Sequence, residues 1–184
     1  MEFKDLLRPL ISTIRNVFES QCNLKVIPHK SYLQNKEGTW RGIDQSMQLT
    51  TTAQIKSNSL SFSIIFWFSE DVFLKFVSSM FGEEFKVLQD EIRDLASEWL
   101  NITIGNLKST INDQMQGGFE ASIPVTIVGD NLALPTPENS PIIIIPFESD
   151  VGPFYCLLVI SKEAVIPWDD SLNQLLGSLE NIEI

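Results

Sequence analysis

The residues best suited to do chemistry in this sequence lie in the stretch SEWLNITIGNLK, residues 97 to 108. Glu98 and Asn101 would be neighbours on a helix, because residues three apart have Cβ atoms about 5–6 Å from each other. A carboxylate binds cations, and a carboxamide both donates and accepts hydrogen bonds. At about 100° per residue, a sector of roughly 80° on one helix side contains five residues: Asp94, Glu98, Asn101, Gly105 and Lys108.

Gly105 is unusual on this face, because glycine costs about 1 kcal/mol relative to alanine in a helix interior. It lies one turn after Asn101 and has no side chain, so a partner could approach the helix backbone there. Polar residues at these spacings are also what a solvated helix face shows, and an isolated E-x-x-N pattern has little specificity. Glu98 is, however, the only glutamate in the chain with an asparagine three residues further on.

Carboxylates near the start of the same helix allow a second interpretation, a metal-dependent hydrolase. Asp90, Glu91, Asp94 and Glu98 would supply acidic ligands, and the last two have i, i+4 spacing. A carboxylate-bridged transition-metal site usually also recruits histidine, but the only histidine, His29, is predicted near a strand end. Acidic residues at a helix start are explained by the helix macrodipole, so no metal site is predicted.

Nucleophilic catalysis has few candidate residues. Cys22 and Cys156 are the only cysteines and neither lies in a CxxC motif, so both are predicted to be buried apolar residues rather than nucleophiles. A Ser-His-Asp triad would have to use His29, and no nucleophile elbow accompanies it. Gly117-Gly118 is explained as a helix stop rather than a phosphate-binding loop.

Length and charge limit the class of protein. The chain has 184 residues and a net charge of -11, which predicts one domain and disfavours nucleic acid and anionic membranes as partners. No apolar run approaches the roughly 18 residues that a membrane span requires. With two cysteines and no disulfide framework, a reducing, cytoplasmic location is expected.

The predicted elements place the candidate face within an α+β fold. Pro9 is expected near the first turn of the opening helix, which therefore begins around Arg8. Ser69 is a predicted N-cap and Gly82 a predicted helix stop. Strands cluster between helices without βαβ alternation, which indicates a largely antiparallel sheet with helices packed on one face. The pattern predicts helices up to residue 21, over 70–81 and over 87–114, and strands over 24–28, 46–55, 59–68, 120–128, 141–148 and 153–161.

Two further expectations concern the edges of this pattern. Asn106 falls on the predicted apolar side of the helix at 87–114, so it is expected to be buried with its polar groups paired. Residues 1–161 are predicted to form the domain, and residues 162–184 a C-terminal extension containing one weak helix.

The extended pattern E-x-x-N-x-x-x-G-N-x-K, from Glu98 to Lys108, resembles the signature helix of the CheX-like chemotaxis phosphatases, relatives of CheC and FliY. Two further segments agree. RPLISTIRNVFES resembles the opening helix of that family, and PIIIIPFESDVGPFYCLLVIS resembles its closing hairpin. Trp99 is bulkier than the residue expected inside the motif, although an apolar side chain there suits a core.

The resemblance implies a phosphatase that acts on the aspartyl phosphate of a CheY-like response regulator, in chemotaxis or another two-component pathway. Glu98 would pair with the regulator's active-site lysine and Asn101 would orient the attacking water, while Asp94, Gly105 and Lys108 would contact the regulator. The regulator would hold the magnesium ion, so no cofactor of the chain's own is expected. A single motif points to the CheX-like branch, which forms homodimers. A catalytically inactive relative that binds a regulator or another signalling partner is the alternative.

Overall fold

The computed structural model describes residues 3–34, 47–57, 61–111, 119–129 and 140–161, which form three helices and eight strands. The α+β class is confirmed. The elements, in chain order, are α1 (Phe3–Cys22), β1 (Val26–Pro28), β2 (Tyr32–Leu33), β3 (Met47–Lys56), β4 (Ser61–Ser69), α2 (Glu70–Phe81), α3 (Asp90–Ile111), β5 (Glu120–Ala121), β6 (Val125–Val128), β7 (Ile142–Ser149) and β8 (Phe154–Ile160).

All strand pairs of the sheet are antiparallel, in the order β1-β7-β8-β4-β3-β5, with β2 also on β7 and β6 also on β3. Every residue of the central strand β8 is buried, and most residues of its neighbour β4 are buried, as expected where both sheet faces are covered. The strand predicted over 120–128 is broken into β5 and β6. The short strand β2 was not predicted from the sequence.

The helices pack on one face of the sheet. The main core joins α1, α2 and α3 to the strand side chains that point toward them, and Phe18 of α1 lies at its centre, within 5.6 Å of the Phe66, Phe76, Trp99 and Phe154 rings (centroid to centroid). A second apolar cluster occupies the other sheet face. The predicted placement of the first and third helices on one face is therefore confirmed.

Local capping residues set the bounds of α2. Ser69 is its N-cap, and the Ser69 hydroxyl accepts a hydrogen bond from the Val72 N–H at 3.3 Å. Gly82 ends the helix in the left-handed conformation, with φ of 70°, and its N–H donates to the Ser78 carbonyl at 2.9 Å. Both predicted boundaries are confirmed.

The predicted start of α1 is wrong by about one and a half turns. The helix begins at Phe3 and contains Pro9 in its interior, although proline there costs about 3 kcal/mol. Leu6 and Leu7, which precede the proline, are fully buried. Burying two leucine side chains contributes about 1.5–3 kcal/mol each, which offsets that cost.

Other boundaries differ less. α3 begins at Asp90 rather than residue 87, and it is described to Ile111. The predicted helix end near Gln114, the Gly117-Gly118 stop and the extension at 162–184 lie outside the described residues. The closing hairpin implied by the resemblance is formed by β7 and β8, which are joined by a turn at Ser149–Gly152.

Candidate functional site

The rotation of α3 about its axis is fixed by Trp99. This side chain is 1% exposed, and its ring lies 5.3 Å from the rings of Phe18 and Phe73. One turn later, the Thr103 hydroxyl donates to the Trp99 carbonyl at 2.8 Å and is also buried. Such a large residue inside the motif is accommodated because it points into the core. Its neighbours Glu98 and Asn101 consequently point outward.

The face opposite the core is the predicted polar sector. All five of its residues are exposed: Asp94, Glu98, Asn101, Gly105 and Lys108. Within the described part of the chain, the side chains of Glu98 and Asn101 make no hydrogen bond or ion pair. Their polar groups are therefore free to bind a partner, held by a 22-residue helix that is anchored in the core.

Asn106 is exposed, so its predicted burial is wrong. The buried stripe of α3 is centred further round the helix from Asn106, and it includes Leu100, Ile104 and Ile111. Tertiary packing of these three side chains turns the helix so that Asn106 lies at the boundary of the stripe. No buried polar partner is needed there.

The charges of the face are divided along the helix. Glu91, Asp94 and Glu98 are exposed acids on the N-terminal half, and the macrodipole also favours the charge of Glu91 in the first turn. Lys108 lies near the C-terminal end, with its ammonium nitrogen 5.8 Å from the centroid of the Phe119 ring. A partner that places a cation against the first half of α3 would meet a favourable potential.

Among the described residues, no contact requires glycine at position 105. Gly105 lies inside α3, and a Cβ atom added there would meet no atom within 4 Å. The helix would tolerate alanine and gain about 1 kcal/mol from it. The space over Gly105 is therefore open to a molecule that approaches the helix backbone.

The geometry does not favour a metal-dependent hydrolase or a nucleophilic cysteine. No group of three or more histidine, cysteine or acidic side chains that could hold a metal ion occurs among the described residues, and Asp90 instead pairs with Arg93 at 3.3 Å. Burial raises the pKa of the Cys22 thiol to about 12 and raises that of Cys156 further, which removes the reactive thiolate near neutral pH. His29 is exposed on the segment after β1.

The shape of the candidate site suits a protein partner. Glu98 and Asn101 project from a convex helix face, and a shallow groove of about 630 Å³ lies elsewhere, between α2 and residues 82–86. A small substrate would not be enclosed at such a face. A macromolecule that brings its own reactive site could be docked there, with a carboxylate and a carboxamide entering that site.

Sequence reasoning missed one contact that positions this face. The Ser97 and Thr126 hydroxyl oxygens lie 2.6 Å apart and join α3 to the edge strand β6. No local sequence pattern predicts this contact, because the two residues are 29 positions apart. It ties the turn before Asn101 to the sheet edge.

The chain matches a known family of chemotaxis proteins. The sequence profile of the family "Chemotaxis phosphatase CheX" matches residues 50–148, which is more than half of the chain and includes β4, α2, α3 and most of β3 and β7. The chain therefore belongs to the CheX family. No curated protein matches it.

Solved structures share the fold. A CheC-like superfamily protein from Shewanella sp. PV-4 is 21% identical, with a TM-score of 0.74, and the match covers 88% of this chain and 99% of that one. The chemotaxis protein CheX from Vibrio vulnificus is 20% identical, with a TM-score of 0.73 and coverage of 85% and 99%. A chain of the CheX-CheY-BeF3-magnesium complex from Borrelia burgdorferi is 18% identical, with a TM-score of 0.69 and coverage of 85% and 97%. In the described part of this chain, no helix is long and apolar enough to span a membrane.

Proposed function

We propose that this protein is a phosphatase that hydrolyses the aspartyl phosphate of a CheY-like response regulator. The observation that carries the proposal is the pair Glu98 and Asn101, exposed on a core-anchored helix and unpaired within the described part of the chain. Membership of the CheX family supports this class of reaction. The Borrelia burgdorferi complex of a CheX with CheY supports this class of partner.

The two side chains suit different parts of the reaction. Water attacks the phosphorus atom, the bond from phosphorus to the aspartyl oxygen breaks, and the products are the free carboxylate and inorganic phosphate. Asn101 orients the water, because a neutral carboxamide can donate and accept without repelling the phosphoryl oxygens. Such a reaction depends mainly on positioning and electrostatics. The magnesium ion belongs to the regulator's own site, so this chain contributes no metal ligand.

Glu98 anchors the regulator. Its carboxylate forms an ion pair with the lysine of the regulator's active site, one helical turn from the point where Asn101 enters. Asp94 adds negative charge beside it, Gly105 lets the regulator approach the helix backbone, and Lys108 contacts the regulator at the far end of the face. This arrangement is supported by the acidic first half of α3 and by the open space over Gly105.

The protein acts in the cytoplasm as a homodimer. Val125 and Ile127 of the edge strand β6 are 55% and 42% exposed. On β3, Val125 and Ile127 pair with Thr52 and Thr50, and these threonines pair with Ile65 and Trp67 of the second apolar cluster. Val125 and Ile127 therefore lie on the same sheet face as that cluster. An exposed apolar edge strand of this kind readily pairs with another chain. A monomer mass in light scattering at tens of micromolar would contradict the dimer.

The test is the decay of a phosphorylated regulator, drawn from those encoded in the same genome, with and without this protein. Wild-type protein should shorten the phosphoryl half-life, and Asn101→Ala should remove most of this effect while binding persists, since Asn101 acts mainly in the transition state. Asn106→Ala is the matched control, because Asn106 is an exposed asparagine of the same helix outside the sector. Binding without any acceleration by wild-type protein would identify a catalytically inactive binding module.

A further inference from the structure

The sheet edge beside α3 contains a bulge that presents Ile123 to solvent. Ala121 pairs with Ile55 and Val125 pairs with Thr52, so three edge residues stand opposite two residues of β3. One extra residue of this kind forms a β-bulge, which bends the strand and redirects a side chain. The Ile123 side chain is 86% exposed, the largest value among the exposed apolar residues described.

Specific bonds hold the bulge in place. The Ser122 N–H donates to the Gln54 carbonyl at 2.9 Å, and the Gln54 N–H donates to the Ser122 hydroxyl oxygen at 3.0 Å. Pro124 follows Ile123, with its φ fixed by the ring. Ile123 is therefore exposed on a segment that hydrogen bonds fix to β3.

Two contacts place the bulge next to the candidate site. Ser97 contacts Thr126 at 2.6 Å through their hydroxyl oxygens, one turn before Asn101. Lys108 lies over the Phe119 ring, two turns after Asn101. The chain from 119 to 126 therefore runs beside α3 in the opposite direction, and residues 122–124 lie between these two contacts along the chain.

The size of a protein interface requires contacts beyond α3. A specific partner buries about 800 Å² on each side, with roughly 20–30 residues, whereas the polar sector of α3 supplies five. The footprint can extend toward α1 or toward the bulge. No large exposed apolar side chain occurs between Leu6 and Cys22 of α1, while the bulge offers Ile123. The apolar centre of the interface therefore falls on the bulge side.

We propose that Ile123 is the apolar anchor that docks the response regulator onto the face containing Glu98 and Asn101. The inference rests on the proposed function and adds to it a specificity-determining residue outside α3. It requires that the regulator carry an apolar surface patch beside its phosphorylation site and the lysine that meets Glu98. Ile123 takes no part in the hydrolysis, so its loss affects binding rather than the chemical step.

The experiment compares Ile123→Ser with wild-type protein in the regulator dephosphorylation assay at several regulator concentrations. KM should rise at least about tenfold, since nearly a whole isoleucine side chain loses its burial in the complex, while kcat stays within about twofold. Ile123→Val should retain most of the affinity. Ile27→Ser is the matched control, because Ile27 is 44% exposed on β1 at the opposite sheet edge, and its KM should not change.

Failure of this inference is distinguishable from failure of the proposed function. A wild-type KM in Ile123→Ser, with wild-type protein active, overturns the role of Ile123 alone. If wild-type protein has no activity, a binding titration with the beryllium fluoride-loaded regulator still tests Ile123, and a tenfold weaker Kd supports it. A changed mass of Ile123→Ser in light scattering, with unchanged KM, assigns the residue to contacts between copies of this chain and also overturns the proposal.

Discussion

At the residue scale, Glu98 and Asn101 are adjacent on one face of α3 but should fail in different ways when replaced. Glu98→Ala removes a docking charge, so KM should rise, with a smaller loss of kcat from poorer positioning. Asn101→Ala should lower kcat with little effect on KM. Kinetics of both variants over a range of regulator concentrations separates the two roles.

Controls for this pair come from the chain itself. Glu148→Ala removes the same charge from β7 at an exposed position and should leave KM unchanged. Because Glu98 and Asn101 are exposed, the free energy of unfolding of either variant should change by no more than about 0.5 kcal/mol. An identical kinetic defect in both variants would contradict the division of roles.

Gly105→Ala should separate stability from activity. The added methyl group meets open space in the free protein, so the variant should gain about 1 kcal/mol in helix stability and roughly 2–4 °C in Tm. In the proposed complex the same methyl group lies where the regulator approaches, so the dephosphorylation rate should fall. Thermal melts and the decay assay measure the two effects.

Thr110→Ala is the control for Gly105→Ala, since Thr110 is exposed in the last turn of α3 and lies outside the polar sector. It should leave activity intact. A Gly105→Ala variant that is both more stable and fully active would show that nothing approaches the helix backbone there.

At the element scale, the β7–β8 turn is fitted against α2 through Gly152. Its φ is 130°, and a Cβ atom there would lie 2.7 Å from the Val72 Cγ2 atom, so Gly152→Ala combines backbone strain with a clash. Gly82→Ala at the end of α2 meets strain alone, at φ of 70° with nothing within 4 Å. We expect losses of about 1–3 kcal/mol for Gly152→Ala and about 1 kcal/mol for Gly82→Ala.

Urea unfolding of both glycine variants tests this ranking, provided that the m-values remain equal to that of the wild-type protein. Equal losses would mean that the Val72 side chain moves aside at little cost. The dephosphorylation rate should be unaffected in either variant, because both glycines lie outside α3.

At the scale of the whole molecule, both thiols are enclosed by the fold. Burial raises the pKa of Cys22 from its usual 9.0 to about 12, and raises that of Cys156 as well. A thiol reagent at pH 8 should therefore label neither cysteine in the folded protein, and both after denaturation. Rapid labelling of the native protein would contradict the burial of these side chains.

The same pKa shifts predict how stability depends on pH. Thiols that stay protonated in the folded state and ionise in the unfolded chain make unfolding release protons, so the free energy of unfolding should fall as pH rises from about 9 toward 12. Below pH 9 this contribution is fully present. Cys22→Ala should show a shallower decline over that range, measured by urea unfolding.

The sequence by itself determined the helices, most of the strands and the polar face of α3. The Ser69 cap, the Gly82 stop and the outward sector around Glu98 and Asn101 depend on contacts within about one turn of helix, which the order of residues specifies directly. The α+β class followed from the same periodicities. Exposure of the sector is confirmed, while the roles of its residues stay predictions.

Only the tertiary structure decided where α1 begins, which way Asn106 faces and how Ile123 is presented. Burial of Leu6 and Leu7 extends α1 past Pro9, and packing of Leu100, Ile104 and Ile111 turns Asn106 outward. The bulge at Ile123 arises from the register of the edge strands against β3, residues more than sixty positions away. Such features depend on contacts between distant segments. The energies of these contacts exceed local propensities of about 1 kcal/mol, and no short stretch of sequence predicts which segments will meet.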